Sequence, residues 1–219
     1  WVGRYGLVCE FDTAGVDYVF RDAKAFASGQ LELDLLREFG IGVSLMDGAA
    51  YEAQDPAFKP GVAGAIRFDH DAVLRPDRYV AELARTVCER GGRFTEQCAL
   101  RDLRREGAEI ELDTSLGTLR ARDVVVAVGA WTPKLSDAIG LPSLQRAMQP
   151  GKGYSITYDR PPLMPRRPVV LRERKVCVTM WDSGFRLGST MEFSGYDESL
   201  NPRRLAALER GAAEYLHHP

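Results

Sequence analysis

Apolar residues along this chain recur with two periods, and the switches between them lay out the elements. Residues 4–11 (RYGLVCEF) alternate well enough to predict a strand, and residues 16–39 space their apolar side chains in a way that predicts one or two helices, with Gly40 at the end. A short strand is predicted at 42–45, a capped helix at 47–54 stopped by Asp55-Pro56, and a strand at 63–68. The strongest helical pattern starts at Pro76. Tyr79, Val80, Leu83, Ala84, Val87 and Cys88 form one apolar face, and Gly91-Gly92 ends it. Residues 94–103, 109–113 and 118–120 read as strands, the last two joined by a turn at 115–117.

The run at 123–135 (DVVVAVGAWTPKL) stands apart. Four of its first six residues are valine, and the run breaks at Gly129. A β-branched stretch ending in glycine predicts a buried strand, and Thr132-Pro133 reads as an N-cap followed by proline at the first helical position. Such a strand–turn–helix corner is where open α/β sheets place ligands. Taken alone the run fits two readings, a buried strand with a tight turn and one wall of a cofactor site. Beyond it, a short helix is predicted at 134–139 and a long strand at 148–158. Strands follow at 169–171, 176–180 and 185–189, the last two forming a hairpin that turns at 182–184, and the chain closes on an amphipathic helix at 202–216. This order predicts a mixed α/β (α+β) fold, a mixed sheet with helices packed on it.

Composition narrows the function classes. The 219 residues carry 29 Lys+Arg against 31 Asp+Glu, a net charge of −2, which offers no argument for nucleic acid. Cys9, Cys88, Cys98 and Cys177 have no metal-ligand spacing and each sits in an apolar stretch, so they read as reduced core residues in a reducing, cytoplasmic compartment. His70, His217 and His218 have no spaced partners, and no metal site is expected. No apolar run reaches the ~18 residues that span a bilayer. Residues 160–168 (RPPLMPRRP) combine arginine with proline and read as a solvated loop, with contact to a membrane surface as the alternative. The chain begins at Trp1 and stops after His217-His218-Pro219, ends that predict a piece of a longer protein. The string GKGYSI at 151–156 lacks the third glycine of a dinucleotide fingerprint and precedes a strand, so it is not a phosphate cradle. No Walker, GxSxG or HExxH string is present, and no catalytic side chain is assigned.

Five stretches together carry a resemblance: LRPDRYVAELARTVCERGGRF (74–94), DVVVAVGAWTPKL (123–135), QPGKGYSIT (149–157), FRLGSTMEFSGYD (185–197) and SLNPRRLAALERGAAEYL (199–216). In content and order the chain resembles the flavin-dependent amine and amino-acid oxidoreductases, the family of glycine oxidase, sarcosine oxidase and D-amino acid dehydrogenase, with the last the nearest in flavour. The resemblance implies that residues 1–68 and 143–219 are parts of a substrate domain, and that 69–142 are the middle of a Rossmann-like flavin domain. It implies FAD as cofactor and an amino acid or amine as substrate. It places the Ala99 backbone near the adenine and Gly129, Ala130 and Trp131 along the flavin. Met191 would face the substrate, and Cys177 falls where some relatives carry a carboxylate-binding tyrosine, a hydrogen bond that a thiol cannot match. Tyr154 and Tyr196 are further candidates for substrate contacts; ordinary half-buried tyrosines, and core packing for Met191, are the competing readings. The family's N-terminal GxGxxG unit and its C-terminal flavin segment, source of the arginine that anchors the substrate carboxylate, are not found in these residues. The implied chemistry is hydride transfer from the substrate α-carbon to flavin, then hydrolysis of the imino acid to keto acid and ammonia. The chain alone is expected not to hold flavin tightly. The alternatives are a glycine- or sarcosine-oxidase-like activity using oxygen, and a binding module without catalysis. The implied location is cytoplasmic, with a peripheral position at the inner membrane as the alternative.

Overall fold

A computed structural model describes residues 1–218. In chain order its elements are α1 (Val2–Tyr5), β1 (Val16–Phe20), α2 (Ala23–Gln30), α3 (Leu33–Glu38), β2 (Val43–Asp47), α4 (Gly48–Gln54), β3 (Gly64–Phe68), α5 (Pro76–Glu89), β4 (Leu100–Glu106), β5 (Glu109–Thr114) and β6 (Gly117–Ala121). A 3-10 segment follows at Gly129–Leu135, then α6 (Leu144–Ala147), β7 (Lys152–Tyr158), β8 (Val169–Leu171), β9 (Val176–Trp181), β10 (Gly184–Glu192) and α7 (Pro202–Ala213). The fold is mixed α/β, and the chain divides into two compact units. Unit 1 comprises residues 1–86, 153–191 and 199–219, and unit 2 comprises 87–152 and 192–198.

Unit 1 is built on a seven-stranded sheet of order β2-β3-β1-β8-β9-β10-β7. β1 runs antiparallel to β3 and parallel to β8, and β9 and β10 form the hairpin closed by Trp181 opposite Gly184. Alternation along the strands sorts the side chains. Val19, Ala65, Val169, Leu171, Val176, Val178, Phe185, Leu187 and Tyr154 pack with Tyr51 of α4 and with Leu208 and Ala212 of α7 in one cluster. Phe20, Ile66 and Val43 pack with Leu33 of α3 in a second cluster, joined by Phe26 of α2. Removing such side chains from water contributes about 1.5–3 kcal/mol each and is the main force fixing the sheet. α7 starts as its sequence dictates, with the Asn201 side chain accepting from the Arg203 amide ahead of a helix opened by Pro202. Its last turn is fastened by Lys59, whose ammonium donates to the Ala213 carbonyl, and by Arg21, which donates to the Glu214 carbonyl at 3.1 Å. Cations on those carbonyls also oppose the helix dipole favourably.

Unit 2 contains the antiparallel meander β4-β5-β6, followed by the 3-10 segment and α6. Among the described residues no helix is long and apolar enough to cross a membrane.

Several expectations are corrected. Residues 4–11 are not a strand: one helical turn ends at Gly6 in the left-handed region, and an isolated bridge then joins Asp12 to Val73. Residues 16–20 are β1 and not helix, because Val, Tyr, Val and Phe at this spacing satisfy a period of 2 as well as 3.6 and pair on both sides. Residues 123–128 form no ladder among the described residues, and Val125 is 88% exposed. The strand expected at 94–103 begins only at Leu100. Of the four cysteines, all free, Cys9 alone is a core residue; Cys88 and Cys177 are exposed, the latter because it takes an outward position in the alternation of β9.

Candidate functional site

The Gly129 corner survives as a corner although its strand does not. Gly129 sits at φ +53°, a left-handed conformation that glycine adopts without strain, and among the described residues no atom beyond its immediate chain neighbours lies within 4 Å of the point where a side chain would begin. The chain then winds into a 3-10 turn, with the Trp131 amide donating to the Val128 carbonyl at 3.1 Å. Thr132 is not an N-cap. Its hydroxyl donates to the Gly129 carbonyl at 2.7 Å instead of accepting an amide, because the helical turn already begins three residues earlier and Pro133 lies inside it.

The corner forms one wall of a cleft of about 240 Å³ in unit 2, lined by Ala130 and Trp131, by Pro150–Lys152 and by Gly195–Glu198. The Tyr196 phenol donates to the Ala130 carbonyl at 3.1 Å, and the Lys134 ammonium stands 4.1 Å from the centre of the Tyr196 ring. Lys152 donates to the Asp197 carbonyl at 2.9 Å. The Trp131 indole is half-exposed. The cleft therefore combines main chain, an aromatic face, one ammonium group (Lys152) and the side chains of Asp197 and Glu198, a combination suited to a partly planar, polar ligand.

The structure brings Gly129, Ala130, Trp131 and Tyr196 together. Ala99 lies ahead of β4 in unit 2 and is tied elsewhere: its amide donates to the Ser115 hydroxyl at 3.0 Å and its carbonyl accepts from the Ser115 amide at 2.8 Å. The other candidates belong to unit 1. Tyr154 on β7 is a core residue, 3% exposed, whereas Met191 near the end of β10 is 62% exposed. Arg204 of α7 links the two, donating to the Met191 carbonyl at 3.1 Å with its guanidinium 6.0 Å from the Tyr154 ring centre. Cys177 stands on the opposite face of the sheet, paired across to Gly188. Partial burial pushes its thiol up, so it is a neutral thiol at pH 7.

Sequence reasoning missed Lys134, Lys152 and Arg204. Lys152 sits within the quoted GKGYS string, and its place there was a usable signal; the contacts of Lys134 and Arg204 depend on chain segments distant in sequence.

A family model described as DAO, FAD dependent oxidoreductase, matches residues 1–219. The chain belongs to this family. The D-amino acid dehydrogenase of Xylella fastidiosa (strain M12) is 32% identical over 213 residues, covering 93% of this chain and 48% of that protein. The D-amino acid dehydrogenase of Vibrio cholerae serotype O1 (strain M66-2) is 26% identical over 220 residues, covering 98% and 52%. This DAO-family chain thus spans about half the length of the curated relatives it matches. The crystal structure of glycine oxidase from Geobacillus kaustophilus has the same fold, with a TM-score of 0.84 at 20% identity over 98% of this chain and 57% of that one. The DAO-family residues here fit FAD in one respect that the structure supplies directly. The uncovered main chain at Gly129 lets a flat group approach without meeting a side chain.

Proposed function

We propose that these residues belong to an enzyme that oxidises a D-amino acid or related amine through bound FAD, giving a keto acid and ammonia. The observation that carries this reading is the open corner at Gly129, held by Tyr196 against a half-exposed tryptophan. FAD, when bound, supplies a two-electron acceptor for the hydride on the substrate α-carbon.

The chain's own residues bind and orient. Gly129, Ala130 and Trp131 line the flavin as a wall, and Ala99 presents main chain to the adenine. Met191 and Tyr196 contribute to the substrate side; Tyr154 supports it only from the core, and Cys177 lies on the other face of the sheet from Tyr154. Cys177, as a neutral thiol, adds no charge there. No side chain is assigned as a base, since an amine that arrives neutral can lose its α-hydride without one, and water completes the hydrolysis of the imino acid. Residues 1–68 and 143–219 serve the substrate and 69–142 the flavin. The 219 residues contain no GxGxxG string to seat the pyrophosphate, and the chain by itself does not retain FAD.

A second reading, glycine or sarcosine oxidation with oxygen as acceptor, is supported by the glycine oxidase fold match. The test is an assay of the full-length protein with D-amino acids, glycine and sarcosine, each with oxygen and with a dye acceptor. Dye reduction by D-amino acids is expected. Oxygen consumption with glycine or sarcosine favours the second reading, and a full-length protein that binds no flavin overturns both. Mixing the 219-residue chain with FAD and recovering a stoichiometric yellow protein overturns the statement on retention.

A further inference from the structure

The seven-stranded sheet ends on β2, which has β3 on one side and, among the described residues, no strand on the other. Its register runs unbroken from Val43 opposite Phe68 to Asp47 opposite Gly64, and just ahead of it the Asp69 amide donates to the Gly42 carbonyl at 3.0 Å. Bonded and non-bonded pairs alternate along an antiparallel ladder. Gly42, Ser44 and Met46 therefore bond inward to β3, and the amides and carbonyls of Val43 and Leu45, with the Asp47 amide, point away from the sheet. Sheet edges are ordinarily protected by lysine, proline or a bulge. β2 reads VSLMD and has none of these, and the carboxylate of Asp47, its one charged side chain, is already engaged as the cap of α4. The surface beside this edge is apolar. Val43 packs with Leu33 of α3, so by alternation Leu45 lies on the same face of the sheet as α3. Leu45 is exposed, as are Leu35 and Phe39, one helical turn apart on α3 and its C-terminal end.

We infer that β2 is a docking edge and that its occupant is β2 of a second copy of this chain, running antiparallel about a two-fold axis through Leu45. The register argues for this occupant. The axis sets Leu45 against Leu45, Ser44 against Met46 and Val43 against Asp47. Residues whose main chain points outward thus meet residues whose main chain points outward, and no like charges face each other. Each Leu45 amide donates to the Leu45 carbonyl of the other copy, and each Asp47 amide to the other Val43 carbonyl. Leu35, Phe39 and Leu45 add apolar surface on the same face, of the kind that marks an interaction site. A self-complementary contact of this type closes at two copies and leaves no free β2 edge. The inference uses nothing of the proposed function.

Sedimentation velocity of the 219-residue chain over a range of concentrations tests it, and a monomer–dimer equilibrium is expected. Leu45→Lys sets two ammonium groups against each other on the axis and is expected to weaken the dimer on the order of tenfold or more. Leu119→Lys, at an exposed position on β6, an edge strand of the other sheet, is expected to leave it unchanged. The register is read by Leu45→Cys in a Cys88→Ser, Cys98→Ser, Cys177→Ser background. Paired Cα atoms about 5.5 Å apart are within reach of a disulfide, so mild oxidation is expected to link two copies through position 45. Leu119→Cys in the same background is expected to give no link. Circular dichroism confirms that each variant is folded, and if Leu45→Lys is misfolded, Leu45→Cys decides. A monomer at every concentration, a dimer that Leu45→Lys leaves intact, or no link through position 45 overturns the inference. Other occupants have their own outcomes. A chain that stays monomeric and pellets with phosphatidylglycerol vesicles assigns the apolar surface to lipid and overturns the inference. A full-length protein that is monomeric where the 219-residue chain is dimeric has the rest of its own chain over β2, and this too overturns it. A full-length dimer weakened by Leu45→Lys supports it.

Discussion

Arg67 closes a two-bond fork on Asp17, Nε to Oδ1 at 2.6 Å and Nη2 to Oδ2 at 3.0 Å, between directly paired residues of β3 and β1. Asp17 is 2% exposed, and the Tyr51 phenol donates to its Oδ2 at 3.2 Å. Burial first, then the Asp17 and Asp55 charges, push the Tyr51 phenol up, so it stays protonated and keeps donating. Removing the arginine strands a buried carboxylate. Arg67→Leu is expected to cost about 3–5 kcal/mol, against about 1 kcal/mol for Tyr51→Phe, in denaturant unfolding. A smaller loss for Arg67→Leu than for Tyr51→Phe would mean that the fork is not what holds Asp17 inside.

Gly48 opens α4 directly under the chain at Val62. A Cβ on residue 48 would lie 1.7 Å from the Val62 carbonyl oxygen, a main-chain atom, and Glu52 fixes that stretch by accepting from the Gly61 and Val62 amides at 2.7 and 2.8 Å. The clash cannot be relieved by a rotamer change. Gly48→Ala is expected to destabilise by about 3 kcal/mol, in the upper range for overpacking. Gly153→Ala, where nothing lies within 4 Å, is expected to stay within about 0.5 kcal/mol. Thermal unfolding of the two variants side by side checks the contrast.

Local signals in the sequence were legible. Asp47 does cap α4 by accepting from the Ala50 amide, Asn201-Pro202 does open α7, and β3, β5, β6 and the β9–β10 hairpin lie close to where alternation and turn residues put them. Ladder formation was not legible. The valines at 124–126 have strand propensity, yet a strand exists only where a neighbour offers amides and carbonyls, and that neighbour is not encoded in the run itself. The same limit applies to α5. Its pattern is helical, but Val80 and Val87, placed on its apolar face, are 62% and 48% exposed. At the site, Gly129 was visible as a break in a valine run. Its hold by Tyr196, 67 residues later, is a tertiary contact that no spacing rule reaches.

Glu10 ties the N-terminal segment to the β9–β10 turn and to α5. Its carboxylate accepts from the Ser183 amide at 3.1 Å and pairs with Arg78 at 2.9 Å. Desolvation alone would raise this carboxyl, but the Ser183 hydrogen bonds and the Arg78 charge outweigh it and hold it below the usual glutamate range. A carboxyl lowered on folding contributes stability that is fully present above its unfolded pKa and is lost as pH falls through the folded value. Glu10→Gln is therefore expected to lower the unfolding midpoint at pH 7 and to narrow its gap from the parent protein as pH drops below about 4.3. A gap that is constant from pH 7 to pH 3 would show that the charge of Glu10 is not what matters.

Tyr196 holds the Gly129 corner by two means, its hydroxyl on the Ala130 carbonyl and its ring under the Lys134 ammonium. The residue is 39% exposed, so water competes for both contacts and their value lies in position more than in stability. Tyr196→Phe keeps the ring and removes only the hydroxyl. It is expected to cost no more than about 1 kcal/mol of folding free energy while freeing Ala130 and Trp131, seen as faster amide exchange at these residues and lower fluorescence anisotropy of Trp131. Tyr196→Ala removes the cation–π contact as well, worth about 0.5–1 kcal/mol, and is expected to loosen the corner further. Parent-like exchange and anisotropy in Tyr196→Phe, with loosening confined to Tyr196→Ala, would assign the hold to the ring and Lys134. Parent-like behaviour in both would remove Tyr196 from the corner's support and leave the 3-10 turn, through Thr132 and the Val128 carbonyl, to keep it open by itself.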